Sequence, residues 1–586
     1  MTKETDAKRP TREALVRDFA SGKLIDTLFG KYSRSWGREE KIVEAIASAH
    51  NEHAIDVLSI VTDTELEAVK RHDFFHGQGL YCKLIPRLQC SALKMIEAVD
   101  CLIRAAGNDG AAGLPGNALA VWFAADPARP QEMLKLVESG NSIARSVIPL
   151  SLGSAPSEAR TGLLRCLHMA ARSVDDPARC NAIFGLGQTD PESEDEWALL
   201  LATLEAGASD VEDLVRAATV AAAARRIRAG CGAHTAPVEA VVARAVQTEC
   251  GERLLHQCAD ALWLDGKDLS AGLRATLLRV MLGVDPANRG TIDHLDHALG
   301  DLVRHSDAKR AADFLAELLP RHDGKLKLKH FNSTCYAVHE QPPTVLHDWI
   351  VGWLLDGRFD LCRHLSGGLF ESQMNEHALE IDFSRYGLND LEYPYLARKA
   401  IGYLFLQPLT VASIIISLVR FAPKSAIKEL EELLFDPMLL NYGGFAKEFL
   451  EPVSKNKSDR ARKTASNALA RIKAYLEALN AARDIIELRP SERQRQMELQ
   501  RNSDAMAEAH SLADKKSVFA DIFTKVVVLY GNRTISYINH PKAKPRRMET
   551  KMQSHGVSFE MPRIEIVDPV GLQKMLLSFR AESRPT

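Results

Sequence analysis

Histidine and acidic residues cluster at helical spacing in the segment "DHLDHALGDLVRH". His294 and His297 are followed there by Asp301 and His305, which would place imidazole and carboxylate groups on one helix face. A zinc site needs three or four such ligands at fixed geometry, and this spacing matches no established ligand set. We therefore expect no bound metal and no cofactor. If a metal does bind, the best-placed ligands are His294, His297 and Asp301.

Two basic segments carry side chains that could neutralise phosphates and release counterions. The net charge is -3, whereas a protein that coats nucleic acid is usually strongly basic. Solvated loops are the simpler explanation of both runs, and binding of DNA or RNA stays open as an alternative. The residues concerned are Lys542, Lys544, Arg546 and Arg547 in "HPKAKPRRMETK", and Lys325, Lys327 and Lys329 in "GKLKLKH".

Catalytic motifs are incomplete throughout the sequence. No phosphate-binding loop and no nucleophile elbow occurs. "METK" places Glu549 and Lys551 on one expected strand, a pair that some metal-dependent nucleases use together with an aspartate. The nearest upstream aspartate is Asp521, which precedes an expected hairpin. An exposed charged strand is the simpler explanation of this pair, so we favour a protein that is not an enzyme and keep a metal-dependent nuclease as an alternative.

The elements that would position these groups are mainly helices. From about residue 10 to residue 485, apolar residues recur at the spacing of amphipathic helices. Proline, glycine, aspartate and serine interrupt this pattern roughly every 12–20 residues, which is typical of short paired helices. Aromatic residues make up only 6% of the chain, and alanine and leucine are abundant. The sequence therefore predicts a mainly α protein.

One uncharged stretch, Ala400 to Val419, is long enough to span a bilayer. Gln407 and Pro408 lie in its middle, and a proline breaks or kinks a helix. We predict two buried helices here, and no membrane association. The N-terminus lacks the apolar core of a secretion signal, and the ten cysteines form no CxxC pair. These features favour a cytoplasmic protein.

A repeat is visible in the middle of the chain. Small-residue segments begin at Arg179, Arg216 and Arg253, so their starts lie 37 residues apart. The stretch "LLLATLEAGASDVEDLVRAATVAAAARRI" resembles a HEAT-type repeat, in which an apolar helix, a short turn and a small-residue helix follow one another. The resemblance is clearest at residues 160–265. It implies an α-solenoid of helix pairs, each of which buries one face on its neighbours.

The C-terminal part differs in pattern. Residues 488–516 are polar and predict a charged helix or a linker. Beyond them the apolar period becomes two, with a hairpin turn expected at Gly531-Asn532 and a last helix capped by Asp568. The predicted regions are therefore an N-terminal helical region at 1–155, a helical-repeat region at 156–487, the polar segment, and a small C-terminal α/β module at 517–586.

These expectations favour a non-catalytic scaffold or adaptor, because stacked helix pairs present extended surfaces to other proteins. We expect it to be a subunit of a cytosolic multiprotein complex with one or more protein partners. The first alternative is a nucleic-acid-binding subunit of a bacterial defence or DNA-processing complex, which would use the basic loops and the C-terminal module. The metal-dependent nuclease is the second.

Overall fold

The computed structural model describes most of the chain as helices that belong to two compact units, residues 1–340 and 341–586. The boundary falls inside the predicted repeat region. Each unit is described by itself. The described residues are 11–32, 39–107, 110–305, 307–322, 324–370, 378–483, 485, 490–516, 533–540, 543–551, 564 and 568–585.

The first unit begins with short helices that surround an apolar core. Trp122 and Phe123 lie at its centre with no exposed surface, and the Trp122 indole donates to the Leu88 carbonyl oxygen at 2.8 Å. The helices of this part are α1 (Arg12–Ala20), α2 (Leu24–Asp26), α3 (Glu39–Asn51), α4 (Asp63–Glu67), α5 (Arg71–Leu84), α6 (Ala92–Ala106), α7 (Leu114–Ala124), α8 (Ala128–Glu138), α9 (Ser142–Ser146) and α10 (Ile148–Leu152).

Ten further helices of this unit alternate between two layers. The even-numbered ones begin at residues 176, 213, 252, 289 and 332, and each packs along the next. Their spacing of 37 to 43 residues agrees with the predicted period. They are α11 (Ser157–Ala170), α12 (Asp176–Leu186), α13 (Glu194–Ala208), α14 (Asp213–Ala229), α15 (Thr235–Ala245), α16 (Glu252–Leu264), α17 (Ala271–Met281), α18 (Arg289–Arg304), α19 (Ala308–Leu318) and α20 (Asn332–Glu340). A helical-repeat architecture is thus confirmed.

Small residues allow the even-numbered helices to approach closely. Gly187, which follows α12, lies against the backbone of α14, and a Cβ atom built on it would stand 2.4 Å from Cα of Ala222. The alanine run at 221–224 provides that surface, since Ala222, Ala223 and Ala224 are almost fully buried. The stack therefore depends on the absence of side-chain volume at these positions.

Aspartates of one repeat cap the first turn of a later helix. The Asp213 carboxylate accepts from the backbone N–H groups of Gly251 at 2.7 Å and Leu254 at 3.1 Å, at the start of α16. Asp296 does the same for Ser333 and Thr334 at the start of α20. Free N–H groups at a helix start need such partners, so these carboxylates fix the distance between repeats.

The second unit continues with helices that also pack in alternation. Its first helices, α21 (Pro343–Asp356) and α22 (Phe359–Cys362), lie before the uncharged stretch. That stretch forms parts of α23 (Glu392–Leu404) and α24 (Pro408–Phe421), so the predicted pair of buried helices is confirmed. No helix among the described residues is long and apolar enough to cross a membrane. The remaining helices are α25 (Lys424–Leu433), α26 (Phe445–Lys455), α27 (Arg462–Arg483), α28 (Glu492–Lys516) and α29 (Pro569–Ala581).

The predicted C-terminal α/β module is not supported. Two described strands, β1 (Arg533–His540) and β2 (Ala543–Lys551), pair antiparallel with each other, and no further strand is described. The last helix, α29, packs on α23 instead. The predicted turn at Gly531-Asn532 lies outside the described residues. The last helix contacts α23 and buries Leu572, so the described residues show no separate sheet-and-helix core.

Polar contacts hold α29 against α23. The Lys399 ammonium, which has no exposed surface, donates to the Arg580 carbonyl oxygen at 2.7 Å. The Arg398 guanidinium binds both carboxylate oxygens of Glu582, at 2.6 and 2.7 Å. Arg580 in turn donates to the Gly402 carbonyl oxygen at 2.5 Å. A buried ammonium needs such partners, so the C-terminal helix completes the environment of α23.

Candidate functional site

The structure separates the three histidine and aspartate residues that the sequence singles out. The His294 Nδ1 atom lies 2.5 Å from a carboxylate oxygen of Asp260, on α16 of the preceding repeat. His297 is exposed and stacks on the Trp263 indole, with ring centroids 4.8 Å apart. Asp301 forms an ion pair with Arg304 at 3.2 Å. Only His294 therefore joins a group of metal-ligand type, and its neighbours come from another repeat.

The three lysines of the "GKLKLKH" loop are all exposed, and they alternate with the fully buried Leu326 and Leu328. Among the described residues, no carboxylate lies within ion-pair distance of Lys325, Lys327 or Lys329. Burial lowers the pKa of the adjacent His330, and the positive charges of Arg289, Lys329 and Lys327 lower it further. The loop thus concentrates positive charge at one place on the first unit.

The second basic segment is described only in its backbone. Lys544, Arg546 and Arg547 lie on β2, where Arg547 stands opposite Tyr537 of β1. Lys542 lies outside the described residues. Glu549 and Lys551 are also on β2, while Asp521 is outside the described part. The predictions of nucleic-acid binding and of a nuclease site at this segment stay predictions.

A groove beside α11 is a surface that the sequence did not indicate. A cavity of about 500 Å³ separates this helix from α13 of the next repeat. Met169 and Leu199 line it and are unusually exposed for large apolar side chains, at 62% and 39%. The same cavity is lined by Arg165 and Arg172. We call this surface, defined by Arg165, Met169, Arg172 and Leu199, the α11 groove.

Charge is distributed unevenly across the α11 groove. Arg165 and Arg172 are exposed, and no described carboxylate pairs with either guanidinium. On the opposite wall, Glu196 is neutralised by Arg160, whose Nη2 donates to it at 3.1 Å. Burial raises the pKa of the Glu196 carboxyl, but hydrogen bonds and charges outweigh it and hold the pKa below its usual range. Asp195 also lines the cavity and is exposed, so the two guanidinium groups face one carboxylate that pairs with no described residue, and the groove offers apolar surface beside a net positive charge.

His168 forms the floor of the α11 groove and is buried. Its Nδ1 lies 2.9 Å from the Thr203 hydroxyl of α13. Because that hydroxyl donates to the Leu199 carbonyl oxygen at 3.0 Å, its oxygen accepts from Nδ1–H, which places the proton of the neutral ring on Nδ1. Burial, with the charge of Arg172, lowers the pKa of His168 to about 4. The hydrogen bond to Thr203 joins two repeats at the base of the groove.

This buried histidine predicts a loss of stability in mild acid. The unfolded chain protonates His168 near its ordinary pKa of about 6.5, whereas the folded chain keeps it neutral to about pH 4. The unfolded state therefore binds more protons between these values, and the free energy of unfolding falls as the pH falls. We expect His168 to contribute a loss of about 2 kcal/mol between pH 7 and pH 5.

The measurement is the free energy of unfolding from denaturant titrations at several pH values. His168→Gln keeps an N–H donor for Thr203 but does not titrate, so its profile should be flatter than that of the parent. Burial also lowers the pKa of His50 and His347, and both act equally in parent and variant. Two parallel profiles would show that His168 does not titrate differently in the folded and unfolded states.

Comparisons with known proteins add little to these observations. No protein-family model matches the chain, and no curated protein matches it. Among solved structures, it is similar to a circular tandem repeat protein with novel repeat topology and enhanced subunit contact surfaces. That similarity has 13% identity and a TM-score of 0.15, and covers 81% of this chain and 98% of the other. A score this low carries no argument, so the repeat architecture rests on the helices themselves, and membership of the HEAT family is not shown.

Proposed function

We propose that the chain is a non-catalytic helical-repeat scaffold of a cytosolic multiprotein complex, and that it binds a partner protein in the α11 groove. The observation that supports this most strongly is the exposure of Met169 and Leu199 beside two guanidinium groups without a described partner. Large apolar side chains exposed together in a concave surface are typical of interaction sites. The partner segment that fits is an amphipathic one with apolar and acidic side chains.

The apolar residues, the arginines and the floor of the α11 groove would each contribute differently to binding of a partner. The methionine is a flexible, polarisable side chain that adapts to an apolar partner surface. Arg165 and Arg172 can each form bidentate contacts with carboxylates, which increases the association rate and the selectivity. The floor is fixed by the hydrogen bond between His168 and Thr203, so the groove is largely preformed.

The test is co-purification of the tagged protein from its native cells, with partner stoichiometry measured by quantitative mass spectrometry. The double variant Met169→Glu/Leu199→Glu should retain the partner at least about tenfold less well, which corresponds to roughly 1.4 kcal/mol. Val211→Glu is the matched control, because Val211 is 89% exposed in the loop between α13 and α14 and does not line the cavity. Equal retention by both variants would remove the groove from the proposal.

A second function, binding of nucleic acid, is favoured by the exposed lysine loop. The charges of Lys327, Lys329 and Arg289 all act on His330, and the exposed Lys325 belongs to the same loop. Together these four residues could neutralise phosphates. Replacing the three lysines by alanine should weaken binding to duplex DNA and lower the slope of log affinity against log salt by about 2 to 3.

The charge-matched control replaces Lys424, Lys428 and Lys473, which are exposed on the second unit. If both triple variants bind DNA as the parent does at low salt, the lysine loop is not a nucleic-acid site. If both weaken equally, the effect is one of net charge alone and the loop has no special role.

A further inference from the structure

Three side chains of metal-ligand type converge between two successive repeats of the first unit. One ligand atom from each of His256, Asp260 and His294 lies within 4.8 Å of the others. His256 and Asp260 are four residues apart on α16, so they share one face of that helix. His294 comes from α18, which packs along α16. The donors are therefore held by two rigid elements.

The surroundings of His256 leave one of its ring nitrogens available. Its Nδ1 lies 3.1 Å from the hydroxyl of Thr291, a residue with no exposed surface. A metal-binding histidine commonly uses its other ring nitrogen in such a hydrogen bond, which fixes the tautomer and the ring orientation. In the tautomer whose Nδ1–H donates to Thr291, Nε2 of His256 carries the free lone pair.

The contact between His294 and Asp260 is close, yet it is not a hydrogen bond. The Nδ1 and Oδ1 atoms are 2.5 Å apart. The Nδ1 atom is inaccessible to solvent and makes no hydrogen bond of acceptable angle to any described group. A shared proton would need an in-line approach, whereas a cation needs only two lone pairs that converge on it. An ion of the zinc class, bound by both atoms at about 2.0–2.1 Å with a tetrahedral angle, would need them roughly 3.3 Å apart, so the pair must open by a little under 1 Å to admit it.

Aromatic rings flank the cluster on α16 and α18. The His294 ring has two ring neighbours. Its centroid lies 4.9 Å from that of the Trp263 ring and 4.7 Å from that of the His256 ring. These rings restrict movement of His294 and place an intrinsic fluorophore beside the cluster. All three ligand residues are partly exposed.

We propose that His256, Asp260 and His294 bind one divalent transition-metal ion of the Zn²⁺ class. Two imidazoles and one carboxylate suit Zn²⁺ or Co²⁺ and leave a fourth position for water. The ion would join two successive repeats, because its ligands come from α16 and α18. This site differs from the set suggested by sequence, since only His294 is common to both.

The test is titration of the chelator-treated full chain with Zn²⁺ in a calorimeter, with Co²⁺ quenching of tryptophan fluorescence as a second readout. We expect one ion per chain in the parent. His294→Ala and Asp260→Asn should each weaken binding by about 100-fold or more, and Trp263→Phe should remove most of the quenching. His297→Ala is the matched control, because His297 stacks on the same indole outside the cluster.

The proposal is overturned if the parent binds no ion, or if His294→Ala binds as tightly as the parent. It is also overturned if His297→Ala weakens binding as much as His294→Ala does. Should the alanine variant fail to fold, His256→Gln serves the same purpose, since it removes a ligand from the cluster while an amide can still contact Thr291. A circular-dichroism melt of each apo variant checks folding separately from binding.

Discussion

Replacing Gly187 by alanine is expected to lower the free energy of unfolding of the first unit by about 3 kcal/mol. A Cβ atom at this position would lie 2.4 Å from Cα, 2.6 Å from Cβ and 2.9 Å from the carbonyl oxygen of Ala222. These are mostly backbone atoms of α14, which is packed against α13, α15 and α16 and has little room to move. The added methyl group must therefore separate two stacked repeats.

The measurement is denaturant unfolding followed by circular dichroism. Gly79→Ala is the control, because Gly79 lies inside α5 of the same unit and a methyl group placed there would have no atom within 4 Å. That substitution should stabilise the unit by roughly 0.5–1 kcal/mol, since alanine favours a helix interior over glycine. Similar effects at both positions would mean that α12 and α14 do not approach this closely.

Replacing Asp296 by alanine is expected to lower the free energy of unfolding by about 3 kcal/mol. The buried carboxylate accepts from the N–H groups of Ser333 and Thr334, both at 2.8 Å, and from the Thr334 hydroxyl at 2.7 Å. Alanine would leave the two N–H donors of α20 without this partner in a place that water reaches poorly, whereas the Thr334 hydroxyl keeps the backbone carbonyl oxygen of residue 296, at 3.0 Å. Both the cap of α20 and its attachment to α18 would weaken together.

Hydrogen exchange gives a local readout of this change. The backbone amides of Ser333 and Thr334 should lose protection in Asp296→Ala and keep it in Asp293→Ala. The second aspartate is exposed on the same helix, three residues earlier, and its loss should change stability by less than about 0.5 kcal/mol. Unchanged protection in Asp296→Ala would show that the carboxylate does not cap α20.

The repeat period was predictable because each unit repeats a chemical pattern. Arg216 donates to the Glu249 carbonyl oxygen and the Thr248 hydroxyl, in the loop before α16, and Arg179 pairs with Asp210 in the preceding loop. In both repeats, the arginine therefore contacts the loop that precedes the next even-numbered helix. Arg253, at the start of the third match, is exposed and has no such contact among the described residues.

The interacting surfaces were not predictable, because their members come from different repeats. Asp260 and His294 are 34 residues apart, and only the packing of α16 on α18 brings them together. Leu199 and Met169 belong to separate helices as well, and an apolar residue at helical spacing gives no sign that it will stay exposed. The sequence supplies such candidates but not their juxtaposition.

For the C-terminal helix, the sequence predicted the helix itself but not the place where it packs. The apolar face of α29 and the Asp568 cap were visible in the sequence, and the helix forms as predicted. Its docking place was not visible, because Lys399 and Arg580 are separated by 181 residues. The buried lysine signals a missing partner only after α23 is placed in three dimensions.

Site-specific photo-crosslinking in native cells tests the proposed partner-binding groove most directly. A photoreactive amino acid is placed at position 199 in the groove, and in a separate variant at position 211 outside it. Our account predicts one dominant protein adduct from position 199, reduced by Arg165→Glu/Arg172→Glu, and no such adduct from position 211. No adduct from position 199, or the same adducts from both positions, would contradict it.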